Sequence, residues 1–288
     1  MQGPPGSGKT LLARSFPSIL PSMTLDEALD VTRIHSIAGT LSELGLVTER
    51  PFRAPHHSAS MVSLIGGGAS PRPGEISLAH RGVLFMDEML EFPRSVLESL
   101  RQPLEDGTVT VSRALGSLSF PARVMFLGAL NPCPCGFMTD GDRTCVCTPV
   151  QISKYRKRLS GPLLDRIDLF LEVPKVKPNE LGDADDAETS ATVRARVEAA
   201  RARQTERYHG LGFTANSELG SREVRTLLTM KDEAKQLLRH ASERYRLSAR
   251  AYFRTIKVAQ TIADLVGTEE IETAYVAEAL QYRQQEQA

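Results

Sequence analysis

Tryptophan is absent from the 288-residue chain, and ten Phe with six Tyr make up its aromatic complement. Base stacking on aromatic side chains, a usual grip on single-stranded nucleic acid, therefore has little support. Charge of one sign is also missing, because 35 Lys and Arg balance 35 Asp and Glu. A nucleic-acid partner would have to meet a local basic face, or an oligomer that concentrates one. There is no run of 18 apolar residues, and the opening MQGPPGSGKT lacks the basic and apolar regions of a secretory signal. The expectation is a cytoplasmic protein with no membrane partner. With 41% hydrophobic residues and only four cysteines, the composition excludes both general disorder and a disulfide scaffold. The length predicts one large core with a smaller companion unit.

Apolar patterning predicts where the two units lie. Residues 11–49 read as helical, with a capping box in which Thr24 and Glu27 satisfy each other's end groups. Residues 51–74 are rich in Pro, Gly and Ser, which predicts a strand, a short helix and an irregular insertion. Three short apolar runs, 83–86, 124–130 and 169–173, read as buried parallel strands, with a helix over 93–104 and an alternating hairpin over 108–120. The fold class is thus α/β, as far as residue 176. A polar, acidic linker follows over 177–188, and 189–288 carries helical spacing throughout, predicting an all-helical second domain.

The residues that carry chemistry begin at the start of the chain. Gly3, Pro4, Pro5, Gly6, Ser7, Gly8, Lys9 and Thr10 spell G-x-x-x-x-G-K-[ST], a loop whose backbone N–H groups cradle phosphates. Its Lys reaches the β/γ oxygens and its hydroxyl holds Mg²⁺, so ATP with Mg²⁺ is the expected cofactor. The run GVLFMDE delivers Asp87 and Glu88 to the carboxyl end of a strand, where an open α/β sheet binds its ligands. Asp87 would hold the metal through water, and Glu88 would orient or deprotonate the attacking water. Asn131, ending the next strand, would bond the γ-phosphate or that water. All four cysteines fall in one short window as Cys133-Pro-Cys135, nine residues, then Cys145-Val-Cys147. Two such pairs converging on a loop suit tetrahedral Zn²⁺, with free buried thiols and redox disulfides as the alternatives. His56 and His57 follow a strand and can reach the nucleotide, reach an inter-subunit contact or stay as satisfied loop histidines.

Taken together, GPPGSGKT, RPFRAPHHSAS, PGEISLAHRGVLFMDE, LGALNPCPCG, LLDRIDLFLEV and SARAYFRTIKVAQTIADL resemble the ComM/YifB proteins. These are AAA+ ATPases of the magnesium-chelatase-like, helix-2-insert branch, and the resemblance covers almost the whole chain. It implies an AAA+ core with a helical lid, a hexameric ring, and a DNA motor associated with branch migration during integration of foreign DNA. It also implies that Arg166 is the arginine finger reaching a neighbouring subunit, the alternative being a helix-end Arg paired with Asp165 or Asp168. Arg250 matches the second sensor, with Arg254 one turn later as the alternative. DNA would lie in the central pore against the 108–120 hairpin with Arg113, and against the 66–75 insertion with Arg72. The KYRKR run at 154–158 either joins them or is a solvated helical face. The alternative functions are the ATPase subunit of a magnesium chelatase and a non-catalytic remnant.

One feature departs from the family's pattern. A phosphate loop follows a strand, yet only Met1 and Gln2 precede Gly3, and the Lon-like domain of family members is not present ahead of it. The expectation is a truncated product, a mis-set start or a fragment, which binds nucleotide weakly or aggregates. Each unsatisfied buried group in the sheet would cost about 1 to 3 kcal/mol, and about ten apolar residues placed before Gly3 would recover affinity.

Overall fold

The computed structural model describes residues 1–41, 45–68, 71–113, 116–176 and 188–283. The expected linker over 177–187, the hairpin tip at 114–115, the Arg113 side chain and the insertion's centre at 69–70 lie outside the described residues. The chain forms two compact units, Met1–Arg166 with Glu172–Ala187, and Ile167–Leu171 with Glu188–Ala288.

In the first unit, α1 (Lys9–Ile19) starts on the phosphate-loop motif. It stops where Pro21 forces Leu20 into extended backbone, ψ 148°. The next helix, α2 (Leu25–Ala38), opens on the expected capping box, Thr24 Oγ1 accepting from Glu27 N at 3.2 Å and Glu27 Oε2 accepting from Thr24 N at 3.3 Å. Gly39, at φ 72°, ends it. The helical stretch expected over 11–49 is therefore two helices, and the described residues after Gly39 add none.

The Pro- and Gly-rich stretch holds β1 (Phe52–Arg53), α3 (Met61–Ile65), the antiparallel pair β2 (Gly66–Gly67) and β3 (Arg72–Pro73), and α4 (Glu75–Leu78). Strand β4 (Val83–Met86) is buried at all four positions. Val83 and Phe85 pack with Ala13 and Ala129, whereas Leu84 and Met86 pack with Ile76, Val96, Leu97 and Leu163. A two-residue period sends alternate side chains to opposite faces, and both faces are covered, so the run reads as continuously apolar.

Pro103 splits the single helix expected over 93–104 into α5 (Arg94–Ser99) and α6 (Arg101–Asp106). It has no N–H to donate, and its ring crowds the carbonyl four residues back, at Ser99. The alternating segment forms the antiparallel hairpin of β5 (Thr108–Arg113) and β6 (Gly116–Pro121). Strand β7 (Met125–Gly128) runs parallel to β4, which is also parallel to β1, giving the order β1-β4-β7. Beyond β7, Gln2 bridges in parallel to both Leu130 and Glu172. Leu130 N–H donates to Met1 O at 3.0 Å and Val173 N–H to Gln2 O at 2.7 Å. The strand expected over 169–173 is thereby reduced to the bridge at Glu172, because Phe170 N–H donates instead to Tyr282 O in the other unit's own chain segment. Two short helices, α7 (Pro149–Arg156) and α8 (Gly161–Leu164), complete this unit.

The second unit is built from α9 (Ser190–Arg207), α10 (Ser221–Leu227), α11 (Asp232–Arg244), α12 (Ala249–Val266) and α13 (Thr273–Gln281). Tyr208, Leu219, Leu238, Ile256, Ile271 and Val276 form its core. Beside that core lies a fully buried carboxylate, Asp264, which accepts from Arg207 at 2.5 and 3.2 Å, Asn216 Nδ2 at 2.8 Å and Gln260 Nε2 at 3.3 Å. Removing one member of such a set leaves the others desolvated and unpaired. Asp264→Ala is expected to cost about 3 kcal/mol of stability, read as a lower midpoint in urea denaturation. Among the described residues no helix is long and apolar enough to cross a membrane.

Candidate functional site

The phosphate loop owes its shape to backbone that side chains resist. Gly6 and Gly8 sit at φ 80° and 83°, and Gly8 is the residue from which α1 departs. Gly3 is needed for a different reason, since a Cβ there would lie 2.2 Å from Val173 O. The loop's only long side chain, Lys9, is buried and folds back to donate to Gly3 O and Pro4 O, both at 2.8 Å. Burial pulls its amine below the usual lysine pKa, and the nearby Asp87 carboxylate opposes that shift. These donors lie among the loop's own peptide groups, where anionic oxygens can replace the two carbonyls.

Thr10 Oγ1 donates to Asp87 Oδ2 at 2.6 Å, so the two hard oxygen groups expected to flank Mg²⁺ are brought together across 77 residues. Asp87 is aimed by β4, whose last residue is Met86, and its Oδ1 accepts from Glu88 N at 2.9 Å. Glu88 adopts left-handed backbone at φ 47°, a strained conformation for a residue with a side chain. Its half-exposed carboxylate has Oε2 3.5 Å from Nδ1 of His57, and His57 stacks on His56 with ring centroids 4.0 Å apart. His57 therefore faces the acidic pair. The sequence left its place open because the contact joins segments 31 positions apart.

Asn131 follows Leu130, whose carbonyl accepts Gly3 N–H at 3.2 Å, so its backbone is anchored to the start of the phosphate loop. Arg166 is held elsewhere. It donates to Pro162 O at 2.5 Å and pairs with Glu105 on α6. Asp168 accepts from Arg254 at 2.6 Å within the helical unit, where Arg250 lies one turn earlier on α12. Arg72 is exposed on β3. In the KYRKR run, Lys154, Lys157 and Arg158 line a cleft of about 670 Å³ with Arg94, Pro149, Val150 and Ser153. Arg158 also donates to Leu90 O and pairs with Glu91 at 3.1 Å.

The four cysteine sulfurs all lie within 4.8 Å of one another. Cys133 Sγ is 3.4 Å from Cys135 Sγ and 3.7 Å from Cys145 Sγ, with 3.6 Å between Cys135 and Cys145. A tetrahedron of thiolates about Zn²⁺ at 2.3 Å has edges of about 3.8 Å, so the donor set fits this ion. The cysteines are free rather than disulfide-bonded. Hydrogen bonding from the backbone at Phe137 and Val146 brings the Cys135 thiol down to about 6. Cys147 is favoured as a thiolate by the Cys135 backbone, yet burial and the neighbouring sulfurs push it up to about 12.

A family described as "Magnesium chelatase, subunit ChlI" has a model that matches residues 1–181, and one for the C-terminal part of that subunit matches 187–283. Competence protein ComM of Haemophilus influenzae is 46% identical over 283 residues, 98% of this chain and 54% of that protein. The uncharacterized protein YifB of Escherichia coli is 44% identical over 282 residues, 98% of this chain and 54% of its own length. The magnesium-chelatase 67 kDa subunit of Chlorobaculum parvum is 30% identical over 158 residues, 53% of this chain and 22% of that protein. The chain spans about half the length of the ComM and YifB relatives.

Proposed function

Because this chain belongs to the magnesium-chelatase-type AAA+ family, in its ComM/YifB branch, we propose that it is the motor core of a ring-forming Mg²⁺-ATPase that moves DNA. The observation that carries this reading is the Thr10–Asp87 pair at 2.6 Å beside the buried Lys9, which unites a phosphate cradle with a metal-holding carboxylate. Residues 3–8 bind phosphate through backbone N–H groups, and Lys9 exchanges its carbonyl partners for the β/γ oxygens. Thr10 and Asp87 hold Mg²⁺, which neutralises charge on the transferring group. Glu88 orients or deprotonates water, positioned by His57, and Asn131 senses the γ-phosphate. Arg166 leaves Glu105 to complete the site of the next subunit, with Arg250 on the lid as second sensor. The four cysteines hold a structural Zn²⁺.

DNA contact falls to the β5–β6 hairpin, to Arg72 on the β2–β3 pair and to the basic cleft beside α7, all able to touch phosphates without reading bases. The stronger identity to Competence protein ComM over nearly the whole chain favours a ComM-like role over a chelatase one. Branched DNA is expected to raise ATP turnover severalfold, with the stimulation falling steeply as salt rises. Stimulation confined to a porphyrin-binding partner protein would assign the chelatase role instead. Absence of ATP turnover under either condition would leave the non-catalytic reading.

A further inference from the structure

The segment from Leu130 to Gly136 is fastened to the phosphate loop at both ends. At one end Leu130 O accepts Gly3 N–H at 3.2 Å. At the other, Gly136 lies so close to the loop that a Cβ would come within 2.8 Å of both Cγ and Cδ of Pro5, and 3.8 Å from Cγ of Asn131. Gly136 has φ 84°, and its N–H closes a turn onto Cys133 O at 3.0 Å. Between the two fastenings sit two of the four sulfur ligands, with Cys133 fully buried. The other two arrive only after residues 136–144, which contain no helix or strand. The excursion is tied on one side by Lys175 to Asp142 at 2.6 Å, and it meets the turn through sulfur contacts, among them Cys133–Cys145 at 3.7 Å and Cys135 N–H donating to Cys147 Sγ at 3.3 Å. Such sulfur contacts are weak, and a shared metal would strengthen that junction.

We propose that the four-cysteine centre and the phosphate loop are one thermodynamically linked unit. A thiolate-bound Zn²⁺ fixes the Cys133–Gly136 turn, the turn backs Pro5 and aligns Asn131, and nucleotide affinity follows metal occupancy. The inference rests on the nucleotide-binding reading above and adds to it a control that acts from behind the loop, through residues that touch no phosphate. Gly136 is a positioning residue: its lack of a side chain lets the metal turn seat against Pro5. Linkage is reciprocal, so whatever zinc contributes to nucleotide affinity, nucleotide must return to zinc affinity.

The test uses the zinc-loaded protein under reducing conditions, with a chromogenic chelator to capture released metal and a fluorescent nucleotide to report binding. Mg²⁺ with a non-hydrolysable ATP analogue is expected to slow zinc release at least about fivefold. Zinc-stripped protein, checked as folded by circular dichroism, is expected to bind nucleotide at least about fivefold more weakly, with affinity restored by adding zinc back. Gly136→Ala is expected to retain one zinc per chain, to bind nucleotide about tenfold more weakly and to lose the effect of nucleotide on zinc release. Cys133→Ser is expected to lose the metal and show the stripped protein's affinity. Equal nucleotide affinity with and without zinc, and a release rate indifferent to nucleotide, would overturn the linkage and leave the functional reading intact. A zinc-loaded protein that binds no nucleotide would overturn both.

Discussion

Replacing Lys9 by alanine is expected to weaken nucleotide binding at least a hundredfold and abolish ATP turnover. The Lys9 ammonium is the one cation inside the loop, and two charge-assisted hydrogen bonds to phosphate oxygens contribute about 3 kcal/mol or more together. Its present partners, Gly3 O and Pro4 O, are loop carbonyls at 2.8 Å, so a phosphate of similar reach replaces them without remaking the loop. Burial already lowers the pKa of this amine, which makes an incoming anion more valuable to it than water. Lys9→Arg is expected to fail nearly as badly, because a planar fork cannot enter a space shaped for a compact ammonium. Titration with a fluorescent nucleotide reads both variants. Tight, Mg²⁺-dependent binding by Lys9→Ala would refute the assignment of the loop.

Arg166→Ala is expected to behave in the opposite way, leaving nucleotide affinity within a few fold while lowering turnover by about 10³ to 10⁵. Within one chain Arg166 pairs with Glu105 and donates to Pro162 O. The proposed role of Arg166 in a neighbouring subunit also makes a distinctive mixing experiment possible. Lys9→Ala and Arg166→Ala proteins are each expected to be inactive alone and to regain part of the turnover when co-assembled, because in the proposed ring a mixed assembly would contain sites with an intact loop facing an intact arginine. Mixed assemblies that form normally yet hydrolyse nothing would show that no site is shared between subunits.

The parts of the site written as short, contiguous spacings were legible in the sequence. The loop at 3–10, the Asp87–Glu88 pair after a four-residue apolar run, and the two cysteine pairs each need only local order to be recognised. The helical character of the second unit was legible by period, and the hairpin expected over 108–120 by alternation. Contacts across the chain were not legible. His57 against Glu88, Arg166 against Glu105 and Gly136 behind Pro5 join residues with no shared local pattern, and only the folded backbone brings them together. Two misread elements have chemical reasons. Pro103 interrupts what apolar spacing presents as one helix, and 169–171 is apolar enough for a strand but leaves Leu169 and Leu171 exposed, with Phe170 N–H committed to Tyr282. Periodicity reports which side chains avoid water, not which backbone groups find one another.

Strand β4 has a length that tolerates no editing. Inserting or deleting one residue between Gly82 and Asp87 would reverse the parity of the strand, exchanging Val83 and Phe85 with Leu84 and Met86 between two interiors of different shape, and turning the Asp87 carboxylate away from Thr10. A change of two residues would preserve parity but carry that carboxylate about 7 Å along the sheet, beyond any reach of the hydroxyl. Segment length there matters to the Thr10–Asp87 pair as much as the identity of the acid.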